Sequence, residues 1–200
     1  MATFLAGFSL GLSSILAIGS QNAFVLKQGL KNQYVFIICI VCALSDALLI
    51  SFGVAGFGVI VSKYPDIEIV ARYGGAIFLM VYGLLSFKSA LMTDHTLLTD
   101  KKTSGSLLKT VLTCLAFTWL NPHVYLDTLV LLGSISTQYQ PYVWQFGLGA
   151  IMASFVFFFS LGYGSRLLAP LFKQPKAWKV LEILVGVIML SIAASLLLGI

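Results

Sequence analysis

Apolar residues run along this chain in six long blocks, at 2–26, 35–61, 69–91, 107–134, 142–161 and 178–199. Each block is apolar all round rather than along one stripe, the pattern of a helix with no water-facing side. Crossing a hydrocarbon core of about 30 Å takes about 20 helical residues, and every block is long enough. A membrane barrel would show alternating strands of about ten residues instead. The pattern predicts an all-α integral membrane protein with six transmembrane helices. Polar residues collect in the gaps, and the longest gap, 92–106, reads as a polar loop. Pro65, Pro141, Pro170 and Pro175 fall in or beside gaps, whereas Pro122 lies inside a block.

Composition removes the competing classes. Of 200 residues, 59% are hydrophobic and 10% charged, with a mean hydropathy of +0.99. Soluble domains sit near 45–50% and 25%, and a domain this small cannot hide so much apolar surface. A soluble protein, a disordered chain and a Cys-dense secreted scaffold are all excluded. The net charge of +5 would suggest nucleic acid in a soluble protein. Here the basic residues lie in short gaps, which fits topology signals and contact with anionic membrane lipid, not a nucleic-acid partner. The start of the chain has no basic stretch, so no cleaved signal peptide is expected. Lys27 and Lys31 follow block one. Lys88, Lys101, Lys102 and Lys109 surround the gap after block three, and Arg166, Lys173, Lys176 and Lys179 the gap after block five. The gaps after blocks two and four hold only Lys63 and Arg72. Basic loops face the cytoplasm, so six helices place both termini outside.

The chain reads as a single membrane domain with an internal division. Repeat one covers about 1–91 and repeat two about 107–200, joined by a cytoplasmic loop at about 92–106. Gln21-Asn22 falls near the end of helix one, and Asn121-Pro122 inside helix four, about one hundred residues later. Three helices per half make the repeats inverted in the membrane. Inverted repeats with paired breaks are the pattern of a secondary transporter. Gly7 and Gly11 form a GxxxG pair, with further clusters at Gly53, Gly56 and Gly58 and at Gly162 and Gly164. Such spacing serves close helix packing and permits a homodimer.

Two acids lie well inside blocks: Asp46 in L-S-D-A-L-L-I and Asp127 in Y-L-D-T-L-V. A carboxylate at a helix centre costs about 2.5–3.5 kcal/mol, and intramembrane acids commonly serve ions, protons or substrates. No Lys or Arg lies well inside a block to pair with them. Asn121-Pro122 predicts a break, because the residue before a proline avoids the α region. A break in mid-membrane must line protein or a watery cavity, and its N–H end suits a carboxylate. Gln21 and Asn22 form the corresponding polar pair in the first half. His123 is either a proton carrier or a hydrogen-bonded core side chain, while His95 lies in the polar loop. Cys39 and Cys42, a C-x-x-C pair, and Cys114 read as buried small hydrophobes. No Walker A loop, Ser-His-Asp set or metalloprotease signature is visible, so neither an enzyme nor a cofactor or metal is expected.

Three segments carry a resemblance. G-S-Q-N-A-F-V-L-K-Q-G at 19–29, S-D-A-L-L at 45–49 and T-W-L-N-P-H-V-Y-L-D-T at 118–128 resemble the LysE family of amino acid exporters. The third is similar to that family's arginine exporter branch. The resemblance covers nearly the full chain. It implies export of basic amino acids, arginine and lysine, through the bacterial inner membrane. It also implies functional roles for Asp46 and Asp127, which match the family's intramembrane aspartates, and for Gln21, Asn22 and Ala23. Where the family commonly has Pro before the first Gly, this chain has Ile18.

The leading expectation is a secondary exporter of basic amino acids working by proton exchange. The half-helix N-termini near Asn22 and Asn121 would hold the substrate carboxylate. Asp46 and Asp127 would hold its side-chain cation, or protons in its place. The alternatives are export of a neutral amino acid or a metal cation, a membrane thiol–disulfide carrier using Cys39 and Cys42, and a scaffold subunit. Hard metals want several convergent oxygens, and two acids supply few.

Overall fold

A computed structural model describes residues 1–16, 19–56, 65–92 and 106–198, and every regular element among them is helical. The order is α1 (Ala2–Ile15), α2 (Ser20–Lys31), α3 (Val35–Val54), α4 (Pro65–Met92) and α5 (Leu107–Trp119). There follow α6 (Pro122–Tyr125), a π-helix (Leu126–Leu132) and α7 (Gly133–Ser136), then α8 (Val143–Gly164) and α9 (Pro175–Leu198). Short 3-10 turns at Thr137–Tyr139, Ser165–Leu168 and Leu171–Lys173 complete the connections.

Two apolar blocks are broken rather than continuous. Block one, expected as a single helix over 2–26, is α1 and α2, with axes bent by 83°. Block four stops at Trp119 and restarts at Pro122. By length and composition, four described helices can cross a membrane, and a fifth span results if α1 and α2 count together. The sixth expected span is interrupted, because α5 has only 13 residues before the break. Residues 57–61 of block two, Ile18, Gly58, His95 and nearly all of the 92–106 loop lie outside the described residues.

Local chemistry explains the turn after α2. Asn32 sits in the left-handed region (φ 53) and closes the helix, its N–H reaching the carbonyls of Gln28 and Gly29. Asn tolerates that conformation better than most residues. The turn is short, so α3 starts close to where α2 ends.

Helix α8 sits at the centre, against α1, α2 and α3, while α4 pairs with α9. Small residues make these approaches close. A Cβ on Gly7 would overlap the Phe146 carbonyl, and one on Gly149 the Phe4 carbonyl, which locks α1 to α8. Gly53 on α3 meets the Thr128 carbonyl, and Gly133 meets the Gly53 carbonyl at the end of the π-helix. The glycine stripes thus pack within one chain, as small-residue membrane interfaces do. Facing outward, Leu44, Leu48 and Phe52 form an exposed apolar stripe on α3, and Leu148, Met152 and Val156 another on α8. An apolar interior inside an apolar exterior is the arrangement of a bundle solvated by lipid.

The halves share an order: a broken helix, then two long ones. In each half the broken helix packs on the long helix that follows the break in the other half, α1 and α2 on α8, α5 and the π-helix on α3.

Candidate functional site: two broken helices around two acids

At the first break Gly19 is extended (φ −103, ψ 171) and caps α2 without a side chain. Gln21 and Asn22 therefore open α2 rather than close a first long helix. The Asn22 Nδ2 donates to the Ile15 carbonyl at 2.8 Å, tying α2 back to a carbonyl that α1 leaves free. Gln21 is buried, and its Nε2 has no hydrogen-bond partner among the described residues.

The second break follows the proline rule. Asn121 is extended (φ −101, ψ 107), Pro122 takes the first helical position, and the Asn121 side chain accepts from the His123 N–H at 3.2 Å. The Tyr125 hydroxyl reaches back across the gap to the Trp119 carbonyl at 2.6 Å. One turn on, the helix widens into the π form from Leu126 to Leu132, which carries Asp127. The Thr128 hydroxyl donates to the Val124 carbonyl at 2.6 Å, supplying a partner where the ladder changes register. Short π segments inside helices often mark functional sites.

The two breaks face one cavity of about 300 Å³. Gln21, Asn22, Asp46, Asn121, His123 and Asp127 all line it, with Ser14, Thr128 and the apolar walls Ile15, Ile50, Leu132, Phe158 and Ile192 among the rest. Pro122 is buried and shapes the break without lining the cavity. Asp46 is 4% exposed and accepts a hydrogen bond at 2.8 Å from the Ser154 hydroxyl of α8. Asp127 is half-buried. His123 and Asp127, four residues apart, share a helix face, and His123 is exposed. Along α3 the cavity is lined by Asp46 and, one turn on, Ile50; Lys27 and Lys31 of α2 do not line it.

Two features have a different status from that expected. Ser154, buried in an apolar block, gives no sequence signal as a partner of Asp46. Asp46 and Asp127 are not the only intramembrane acids: Glu182 of α9 is 3% exposed and forms an ion pair with Lys27. Its presence in block six was visible, but its partner was not. The cysteines are buried. Cys39 donates to the Phe158 carbonyl at 3.2 Å, and the Cys42 and Cys114 sulfurs lie 3.2 Å apart as free thiols. Among the described residues no group of three His, Cys, Asp or Glu could hold a metal ion.

Broken helices whose polar ends meet around acids inside an apolar bundle define the class of membrane transporters. The sequence profile of the LysE type translocator family matches residues 12–199, and the chain belongs to that family. The arginine exporter protein ArgO of Serratia proteamaculans is 43% identical over 198 residues, 98% of this chain and 96% of that protein. ArgO of Salmonella enteritidis is 43% identical over 195 residues, covering 96% and 92%. A Mycobacterium tuberculosis protein whose name proposes amino-acid transport is 42% identical over 182 residues, covering 91% and 90%. No solved structure matches the chain. This is a multi-pass protein of the inner membrane.

Proposed function

We propose that the protein exports basic amino acids, arginine first and lysine second, in exchange for protons. The observation that carries this reading is the meeting of Asp46 and Asp127 with the start of α2 in one cavity of about 300 Å³. That volume lies at the small end of ligand pockets and suits a single amino acid. The acids provide for a side-chain cation. The first-turn amides of α2 have no side-chain cap and provide for a carboxylate. The named activity of the two ArgO relatives supports arginine as the substrate.

Six spans in two inverted repeats accommodate this chemistry, with the two broken helices as equivalent first members. The basic residues orient it: both termini outside, and 27–31, 92–106 and 166–179 in the cytoplasm. Energetics favour proton exchange. Moving one positive charge out against an inside-negative potential costs about 2.3 kcal/mol per 100 mV. One inward proton cancels that term and leaves the pH gradient as the drive. Asp46 and Asp127 accept protons when the cation leaves, so proton and substrate compete for the same oxygens.

The test is counterflow of radiolabelled arginine and lysine in proteoliposomes of purified protein. Exchange of both, accelerated by an imposed pH gradient, is expected. Absence of arginine counterflow defeats the substrate assignment, and indifference to collapse of the pH gradient defeats the coupling.

A further inference from the structure

One buried charged pair lies outside the cavity. Lys27 of α2 and Glu182 of α9 are 8% and 3% exposed. The Lys27 Nζ lies 2.8 Å from Glu182 Oε1 and 2.8 Å from Oε2. It also stands over the Tyr82 ring, 5.6 Å from its centroid. Stability does not account for such a pair, because well-packed apolar residues of similar volume commonly hold a fold as well or better.

Its position suggests a use. Gln21 lines the cavity, Phe24 lies about one turn further along α2, and Lys27 about one turn beyond that. Phe24, Phe78, Tyr82 and Phe117 form a layer of touching rings, with centroids 4.9 to 6.3 Å apart. The rings come from α2, α4 and α5. The ion pair lies on the far side of Phe24 from the cavity, and Lys31 follows over the Trp178 ring at 5.8 Å. A solute passing between the cavity and the Lys-rich end of α2 along this line must cross the rings and the pair.

We propose that Glu182 and Tyr82 form a second cation site, which Lys27 fills in this conformation and which the substrate's side-chain cation takes on its way to the cavity. The site has the chemistry for it. A carboxylate with an aromatic face beside it holds alkylammonium groups. Both Glu182 oxygens point at one position, so a guanidinium can engage them as a fork. Lys27 acts as a tethered stand-in for the substrate side chain: it closes the route and keeps Glu182 from being buried unpaired. The entering cation displaces Lys27 without leaving the carboxylate bare at any stage. This rests on the reading of the substrate as a basic amino acid.

Chemical rescue tests it independently of transport. Lys27→Ala vacates the site, and Lys27→Ala/Glu182→Gln abolishes it. With n-butylammonium, the single variant in detergent should gain a saturable rise in melting temperature that the double variant lacks. If the single variant does not fold alone, purification with n-butylammonium should recover it as monodisperse protein, and butanol should not. In proteoliposomes the double variant should show a KM for arginine raised about tenfold or more at the Lys-rich face and unchanged at the other, the scale expected for losing a charge-assisted hydrogen bond. Equal responses of the two variants to butylammonium, failure of butylammonium to recover the single variant, or a KM unchanged at both faces, overturns the site. Lack of arginine counterflow in the unmodified protein would overturn the substrate reading instead, while rescue by butylammonium would stand.

Discussion

Replacing Asp46 by Asn separates the charge of the site from its shape. The Ser154 hydroxyl, 2.8 Å from Asp46 Oδ2, can donate equally to an amide oxygen, so that contact survives. The amide is also easier to bury: a charged Asp costs about 2.5–3.5 kcal/mol at a helix centre. The variant should therefore insert and melt at the same temperature or higher. What it loses is attraction for the substrate cation. Two unit charges about 4 Å apart interact by about 4 kcal/mol at an effective dielectric of 20. Hydrogen bonds to charged groups contribute about 1.5–3 kcal/mol net of solvation. Even the lower figure corresponds to about a tenfold loss of affinity. Arginine counterflow at matched protein levels should thus show a KM at least about tenfold higher, or no measurable exchange. Citrulline, the neutral isostere, provides the control. Its weak competition against arginine should be unchanged in the variant, because it never used the charge. A variant that exchanges arginine at the normal rate and KM, or that loses arginine and citrulline alike, refutes the assignment of Asp46 to the cation.

Two further outcomes follow from the geometry and a third from the charge pattern. Asn121→Ala removes the acceptor for the His123 N–H and should cost about 1 kcal/mol in thermal unfolding, with export reduced because the break loses its shape. Gly7→Leu drives a side chain into the Phe146 backbone and should destabilise by about 1–3 kcal/mol or more, read as a lower melting temperature in detergent. Reporter fusions at Ser104 and Lys173 should both report cytoplasm; either one outside defeats the orientation drawn from the basic residues.

The second break was legible because Pro122 enforces it locally: no neighbour is needed to deny Asn121 a helical conformation. The first was legible only in part: the polar pair Gln21-Asn22 pointed to a half-helix N-terminus, but Gly19 permits extended backbone without demanding it, so the block still read as one helix over 2–26 with the pair near its end. Asp46 and Asp127 stood out because a charge in an apolar block conflicts with its surroundings. Their shared cavity and the Ser154 contact depend on α3, α8 and the π-helix meeting, and sequence spacing carries no record of that. The π-helix itself has no signature in L-D-T-L-V-L-L; it sits where Gly53 of α3 presses against the Thr128 carbonyl. Lys27 and Glu182 lie 155 residues apart, so a visible acid and a visible base in different halves gave no sign of pairing.

The contact of Gly53 with Thr128 and Gly133 has a consequence for selectivity. Asp46 rides on α3 and Asp127 on the π-helix, and these two elements touch backbone to backbone. An interface of side chains yields by changing rotamers, but peptide groups in contact have no such freedom. The spacing of the two backbones that carry the acids is consequently set by this contact before any solute arrives. On the proposed reading, the two acids meet a substrate cation from backbones that cannot follow it, so the reach of the side chain that bridges them is read against a spacing held by two glycines.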